Sequence, residues 1–424
     1  MTLNHAPVID YTAHPAFAGI PPAPFDAEAD RLIVEIDASY EELCAVPRPA
    51  SERQEKFDRE VATRIETLQN RLSGRVREEF RHSLRLAFEA ARRLLRDDLA
   101  ARDFSAGNRN DQVKLKGDFQ GNLDSFRRQG FFRLMDSRLA RRVWRVLPLE
   151  RALLRLLKRQ VPTRHCVLSI HAYSPAGRLI QRFARKSGLV DFASAYTGKP
   201  MEFYYAALDH AHPGQIWYQD CYADVGLATS KTAYMHTDAD FDIIKTMLYV
   251  QDVSEKDGAF CFIPGSHRWA RSPLTLAIQK GFDATAPNVF AGNPRNGEYY
   301  RPRFKLADHR QDVLALPASL RGSTHFGDDV LDGSALSEAL LEAEESFIAP
   351  AGTIVVFDGS RGIHRGGLVQ PGGQRWAMQL AFRVRRDPPQ SAWQAVRQEL
   401  YGSLSYIKYV VTRLFGLARG RFLP

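Results

Sequence analysis

Along this chain the spacing of apolar side chains changes character near Pro162. Residues 1–25 are rich in Pro and Ala without periodicity and read as an extended arm. From Asp26 to about Arg102, stretches such as SERQEKFDREVATRIETLQNRL and VREEFRHSLRLAFEAARRLLRDDLAARDF set apolar residues at helical spacing among charges, which predicts two or three amphipathic helices. The turn-rich SAGNRNDQ (105–112) marks a boundary, after which LDSFRRQGFFRLM and the segment to Gln160 continue the helical signal, with a basic face between Arg138 and Arg159.

Beyond Pro162 the texture is β-like. HCVLSIHAY, EFYYAALDH, IWYQDCYADV, IIKTMLYVQDV, GAFCFIPGS, SFIAPAGTIVVFDG and RWAMQLAFRVR are short runs of β-branched and aromatic residues punctuated by Gly, Pro and Asp. They predict an antiparallel sandwich or jelly roll supported by helices, an α+β fold. Weak periodicity from Arg268 to Glu345, including AGNPRNGEYYRPRFK, reads as an insertion at about 268–345 that forms a lid or binds substrate. The expected organisation is an arm and helical extension over 1–112, a jelly-roll domain over 113–390, and a basic helical tail over 391–424.

Composition narrows the partners. The net charge is +9, and arginine carries it: there are 46 Arg against 12 Lys. Such a surface attracts anions. The basic helices could lie against an anionic membrane surface, although a helix that buttresses a sheet and turns its arginines to water has the same sequence. Cys44, Cys166, Cys221 and Cys261 are widely spaced and suggest neither a disulfide framework nor a cysteine zinc site. No secretory leader and no run of about 18 apolar residues is present, so the expected setting is cytoplasmic, with peripheral contact to the inner face of the membrane. No nucleic-acid motif with interleaved aromatics occurs, and nucleic acid is not an expected partner.

The chemistry concentrates in a few residues. On a strand, His236 and Asp238 of the H-x-D in YMHTD would share a face. A third ligand must come from elsewhere, and His364 follows the hydrophobic run GTIVVFDG. Two imidazoles and one carboxylate that leave other positions open suit Fe(II), which must also accept a cosubstrate and O₂. Arg375, eleven residues after His364, could grip the distal carboxylate of 2-oxoglutarate with its guanidinium fork, with Arg383 as the alternative.

With HTD at 236–238, DVSEKDGAFCFIPGSH at 252–267, His364 and Arg375, the sequence resembles the phytanoyl-CoA dioxygenase family of Fe(II)- and 2-oxoglutarate-dependent oxygenases. LDSFRRQGFFRLM is similar to the helix and first strand that open the family's domain, so the resemblance covers roughly 118–386 with a break at the insertion. It implies a double-stranded β-helix (cupin-like) core, with His236, Asp238 and His364 as iron ligands and Arg375 as the 2-oxoglutarate anchor. It also implies a reaction that consumes O₂ and 2-oxoglutarate and releases succinate and CO₂. A carboxylate at 238 implies hydroxylation, or a desaturation or rearrangement built on the same hydrogen abstraction. The unusually long interval from Asp238 to His364 and the helices before residue 115 depart from the family pattern and leave the substrate open. An anionic small-molecule or lipid-linked substrate is the expectation from the arginine excess.

Other residues invite roles. Tyr234, two residues before His236, should face the same side and could touch cosubstrate or substrate; a place in the barrel wall is the alternative. Met247 or Tyr249 could line the pocket, but alternation does not say which strand face points inward. His210, His212 and His325 could belong to an accessory metal site or simply bond backbone in loops; His171 reads as a strand residue, and His267 of PGSH as structural. Two non-enzymatic alternatives stand beside the oxygenase reading: a ligand-binding sensor on the same fold, and a membrane-associated helical adaptor.

Overall fold

A computed structural model describes residues 6–46, 49–102, 119–160, 165–213, 219–227, 230–238, 241–269, 272–285 and 305–385. The 105–112 boundary, the 391–424 tail and residues 286–304 of the insertion lie outside the described residues.

The described residues before Arg102 hold three continuous helices, within the expected two or three: α1 (Ala27–Ala45); α2 (Ala50–Lys56), which runs through a π-helical stretch Phe57–Ala62 into α3 (Thr63–Ser73); and α4 (Glu78–Ala101). Asp26 caps α1 by accepting from the Ala29 N–H, Pro49 stands at the start of α2, and Gly74 ends α3. These residues bound the three helices, whereas helical dihedrals at Lys56, Phe57, Ala62 and Thr63 carry α2 into α3 without a break. Apolar faces of α1, α3 and α4 form one core with Leu274, Ile278 and Phe282 of α10 (Pro273–Thr285) and with Val313 and Leu314 of α11 (Arg310–Ala315). The extension and the insertion therefore share an interior. The arm joins it too, through buried Tyr11 and Phe17.

α5 (Phe119–Gln129) leads into β1 (Phe131–Met135), followed by α6 (Ser137–Arg145) and α7 (Pro148–Gln160). Next come β2 (His165–Ile170), α8 (Pro175–Lys186), α9 (Leu189–Thr197), β3 (Met201–Ala211), β4 (Ile243–Tyr249) and β5 (Phe260–Phe262). After the insertion stand α12 (Ala335–Ala343), β6 (Glu345–Ser346), β7 (Thr353–Asp358), β8 (His364–Gly366) and β9 (Arg375–Val384). The strands form a six-stranded sheet ordered β1-β7-β4-β9-β3-β2 and a three-stranded sheet ordered β6-β5-β8, and every pair is antiparallel. This is a jelly-roll arrangement with supporting helices.

Strand alternation assigns each face of the large sheet. Ile244, Leu248, Ile354, Val356, Met378 and Leu380 pack outward into one core with α6, α8 and α9. Their neighbours Met247, Tyr249, Val355, Phe357 and Ala377 turn inward, where they meet Phe260 and Phe262 of the small sheet. Met247 and Tyr249 thus share the inner face. Of the strand expected at IWYQDCYADV, the described part, Gln219–Val225, is a 3₁₀ segment, and 214–218 fall outside the described residues. Buried Tyr222 bonds Asp329 (3.2 Å) and Asp224 pairs with Arg310 (2.7 Å), so tertiary contacts override strand propensity here.

Candidate metal centre

The H-x-D does not lie on a regular strand. His236 makes only an isolated bridge, in which its N–H donates to the His364 carbonyl and His364 N–H donates back, both at 3.0 Å. Tyr234 has φ 72°, an uncommon value for a residue with a side chain, so the alternation expected to carry it to the side of His236 is interrupted. Its contribution is through the backbone: the His236 Nδ1 lies 2.6 Å from the Tyr234 carbonyl. A carbonyl can only accept, so Nδ1 carries the proton and Nε2 keeps a lone pair. His364 is set the same way, with Nδ1 donating to Gly362 O at 3.0 Å. Arg365 fastens β8 beside this loop, bonding Glu344 and the carbonyls of Lys231 and Ala233.

Asp238 comes to the two imidazoles by a different route. Its N–H donates to Gly359 O at 2.8 Å, its carbonyl accepts from Lys280 Nζ of α10 at 2.5 Å, and the same ammonium reaches Ser360 O at 3.2 Å. The carboxylate then stands 4.0 Å from His236 Nε2 through Oδ1 and 3.7 Å from His364 Nε2 through Oδ2. One ligand atom from each residue lies within 4.8 Å of the others, and this is the one such group of His, Cys, Asp and Glu found among the described residues.

Electrostatics prepares these groups for a cation. Burial pushes His236 well below its usual range, reinforced by His364 and only partly opposed by Asp238. Burial also lowers His364, so both rings are neutral near pH 7. Burial alone would raise the Asp238 carboxyl, but the Lys245 ammonium beside it leads the opposing charges and holds the group ionised. Asp238 Oδ2 is buried without a hydrogen-bond partner. An orphaned carboxylate oxygen facing two neutral imidazoles costs several kcal/mol in a dry interior unless a cation takes it. The donor set fits Fe(II).

Arg375 opens β9 and is almost wholly buried. Its Nη2 pairs with Asp209 Oδ2 of β3 at 3.1 Å, its Nη1 donates to Gly258 O, and its Nε has no partner. A Cβ on Gly366 would lie 2.9 Å from Nη2. Gly366 is two residues from His364 along β8, roughly 7 Å on the same face, so the guanidinium lies within a small dicarboxylate's reach of the candidate metal position. Arg383, at the far end of β9, pairs with Glu202 at 3.1 Å.

Of the other histidines, His267 lies 3.0 Å from Arg127 O, and His210 stacks on Trp376 with centroids 3.8 Å apart. His325 comes to the centre, its ring 4.3 Å from that of His236. Sequence reasoning missed Lys245, Lys280, Gly359 and Asp209. Only Lys245 had a usable signal, because it alternates with Met247 and Tyr249 on β4.

Residues 223–360 match the family described as phytanoyl-CoA dioxygenase (PhyH); the match ends before His364 and Arg375. No curated protein matches the chain in sequence. Among solved structures, the chain is similar to the epimerase SnoN in complex with Fe3+, alpha ketoglutarate and nogalamycin RO, at 13% identity over 65% of this chain and 88% of that one, TM-score 0.36. It is also similar to AviO1 from Streptomyces viridochromogenes Tue57 (15% identity, 64% and 97% covered, TM-score 0.35). A third is EctD from S. alaskensis with 2-oxoglutarate and 5-hydroxyectoine (16% identity, 62% and 74% covered, TM-score 0.34).

Proposed function

We propose that this chain, whose residues 223–360 match the phytanoyl-CoA dioxygenase family, is an Fe(II)- and 2-oxoglutarate-dependent dioxygenase that hydroxylates a C–H bond of a small-molecule or lipid-linked, anionic substrate. The single observation that carries the reading is the buried convergence of His236, Asp238 and His364 with one carboxylate oxygen unpartnered. In this reading His236 Nε2, His364 Nε2 and one oxygen of Asp238 hold the iron. Arg375 holds the distal carboxylate of 2-oxoglutarate, and Tyr234 assists the cosubstrate side through the backbone carbonyl that fixes the His236 ring.

When bound, the iron supplies O₂ activation: one oxygen atom enters succinate as 2-oxoglutarate loses CO₂, and the other enters the substrate C–H bond. The protein keeps the imidazoles neutral, keeps Asp238 ionised and surrounds His364 with Phe260 and Phe357, which exclude water (ring centroids 5.9 and 4.9 Å from His364).

The arginine excess supports the lipid-linked member of this substrate class. α6 and α8 present exposed Arg138, Arg141, Arg142, Arg145, Arg182 and Arg185, and neither helix contains an acidic residue. They lie on the outer side of the large sheet, which suits peripheral contact with an anionic surface rather than the chamber itself. Among the described residues no helix is long and apolar enough to cross a membrane. Cys44 and Cys261 are free, which accords with the cytoplasmic setting we assign.

The test is succinate formation from 2-oxoglutarate with Fe(II) and O₂, scanned over carboxylated, phosphorylated and acyl-linked compounds. Asp238→Ala is expected to abolish it; turnover surviving at the wild-type rate would overturn the assignment. Activity confined to neutral metabolites and insensitive to salt or anionic lipid would remove the substrate class alone.

A further inference from the structure

β4 begins five residues after Asp238 and returns Lys245 to it, with Nζ 2.5 Å from Asp238 Oδ1. Lys245 shares the inner strand face with Met247 and Tyr249, so alternation aims its ammonium into the space between the sheets. The side chain is largely buried, and the strand on which it stands is hydrogen-bonded on both edges, to β7 and to β9. The two oxygens of Asp238 are therefore unequal: Oδ1 is occupied by a cation of the protein, and Oδ2 is buried and unpartnered.

A carboxylate can bind a metal through one oxygen or both. Binding through both would consume a coordination position that a cosubstrate or O₂ needs, and nothing in the His236 or His364 geometry prevents it. We propose that Lys245 is a positioning residue that makes Asp238 a one-oxygen ligand, holding Oδ1 away from the metal so that only Oδ2 binds. Gly359 completes the device from the other side: a Cβ there would lie 2.1 Å from Oδ2, so the loop backbone confines the carboxylate while the ammonium fixes its rotation. The charge also fits. A dication with one carboxylate and an adjacent ammonium leaves a site positive enough to draw in a dianionic cosubstrate.

This inference rests on the reading of the site as a metal centre, and Co(II) separates the two. Wild-type protein is titrated with Co(II) and its visible d–d absorption recorded, alongside Lys245→Met, which keeps the stem and loses the ammonium, and Lys245→Arg, which keeps the charge and donors. The expected result is a wild-type spectrum in Lys245→Arg and a shifted band with altered intensity in Lys245→Met, as the freed Oδ1 enters the coordination sphere. If Lys245→Met does not accumulate as folded protein, Lys245→Gln takes its place with the same expectation. An unchanged spectrum in the uncharged variant overturns the proposal, including when Co(II) then binds more tightly, because that outcome means that Lys245 merely repels the ion. Failure of wild-type protein to bind Co(II) stoichiometrically would instead overturn the metal centre.

Discussion

The imidazole of His325 stacks on that of His236, with centroids 4.3 Å apart and planes 29° from parallel. The contact is held by backbone rather than chance: Thr237 N–H donates to Thr324 O and Gly327 N–H to Met235 O, so 324–327 lies alongside the ligand segment. An aromatic face of this kind contributes about 0.5–1.5 kcal/mol and here restricts rotation of a metal-ligating ring. His325→Ala is expected to weaken Co(II) binding by about 2- to 10-fold, and His325→Phe to restore it, as read by isothermal titration. Loss in both variants would show that a polar contact of His325 matters instead.

Gly359→Ala tests how tightly the carboxylate is confined. The added methyl would sit 2.1 Å from Asp238 Oδ2 and 3.5 Å from Ile243, so either the side chain of Asp238 rotates away or the loop shifts. Metal affinity should fall by 10-fold or more while circular dichroism stays native. An unchanged Co(II) dissociation constant would mean that the loop moves without cost.

Arg375→Lys keeps the charge beside Asp209 but loses the fork. A charge-assisted hydrogen bond contributes roughly 1.5–3 kcal/mol, so KM for 2-oxoglutarate should rise about 10- to 100-fold. The Co(II) dissociation constant should not change. Equal losses in both would mean that Arg375 supports the centre through Gly258 and Asp209 rather than by holding the cosubstrate.

The difference between what could and could not be read from the sequence follows from range. Strand alternation and helical periodicity are local, so β3, β4, β7, β9 and the amphipathic α1 to α4 region are legible, and so are the residue types of a metal site at His236, Asp238 and His364. Tyr234 shows where locality fails: a positive φ, supported by the surrounding fold, replaces the strand that H-x-D suggests. Lys280 and His325 are far from Asp238 and His236 in sequence, and only the packing of the insertion against the first helices carries them there. Gly359 reads as an ordinary turn residue until the carboxylate beside it is known.

Lowering the pH should weaken the helical extension through Asp26. Hydrogen bonds from Arg71, the Ala29 N–H and Arg75 outweigh its burial and hold its pKa at about 2, against an ordinary value of 3.8. A depressed carboxyl contributes stability that is present above pH 4 and lost as pH falls toward 2, because the unfolded chain takes up the proton first. Screening at the half-exposed Arg71 reduces this to on the order of 1 kcal/mol. Asp26→Asn keeps a capping oxygen and removes the charge, so its urea midpoint should change less than that of wild type between pH 4 and 2. Parallel acid profiles would assign the effect to other carboxyls.

Lys199 gives a larger effect, since burial decides what an ion pair contributes. Its ammonium bridges Asp98 of α4 and Asp242, just before β4, and all three side chains are almost wholly buried. Asp242 also pairs with Arg361 at 3.0 Å, next to the Gly359-Ser360 loop that holds Asp238. Lys199→Met would leave two buried carboxylates short of a cation, and breaking such a pair costs about 3–5 kcal/mol. Removing the exposed Arg31–Glu28 pair on α1 should change stability far less, because water screens both charges. Because the bridge joins the helical extension to the strand that carries Lys245, Lys199→Met should also raise the proteolytic sensitivity of α4. A urea-denaturation loss no larger than that of Arg31→Ala would show that the extension docks through its apolar faces alone.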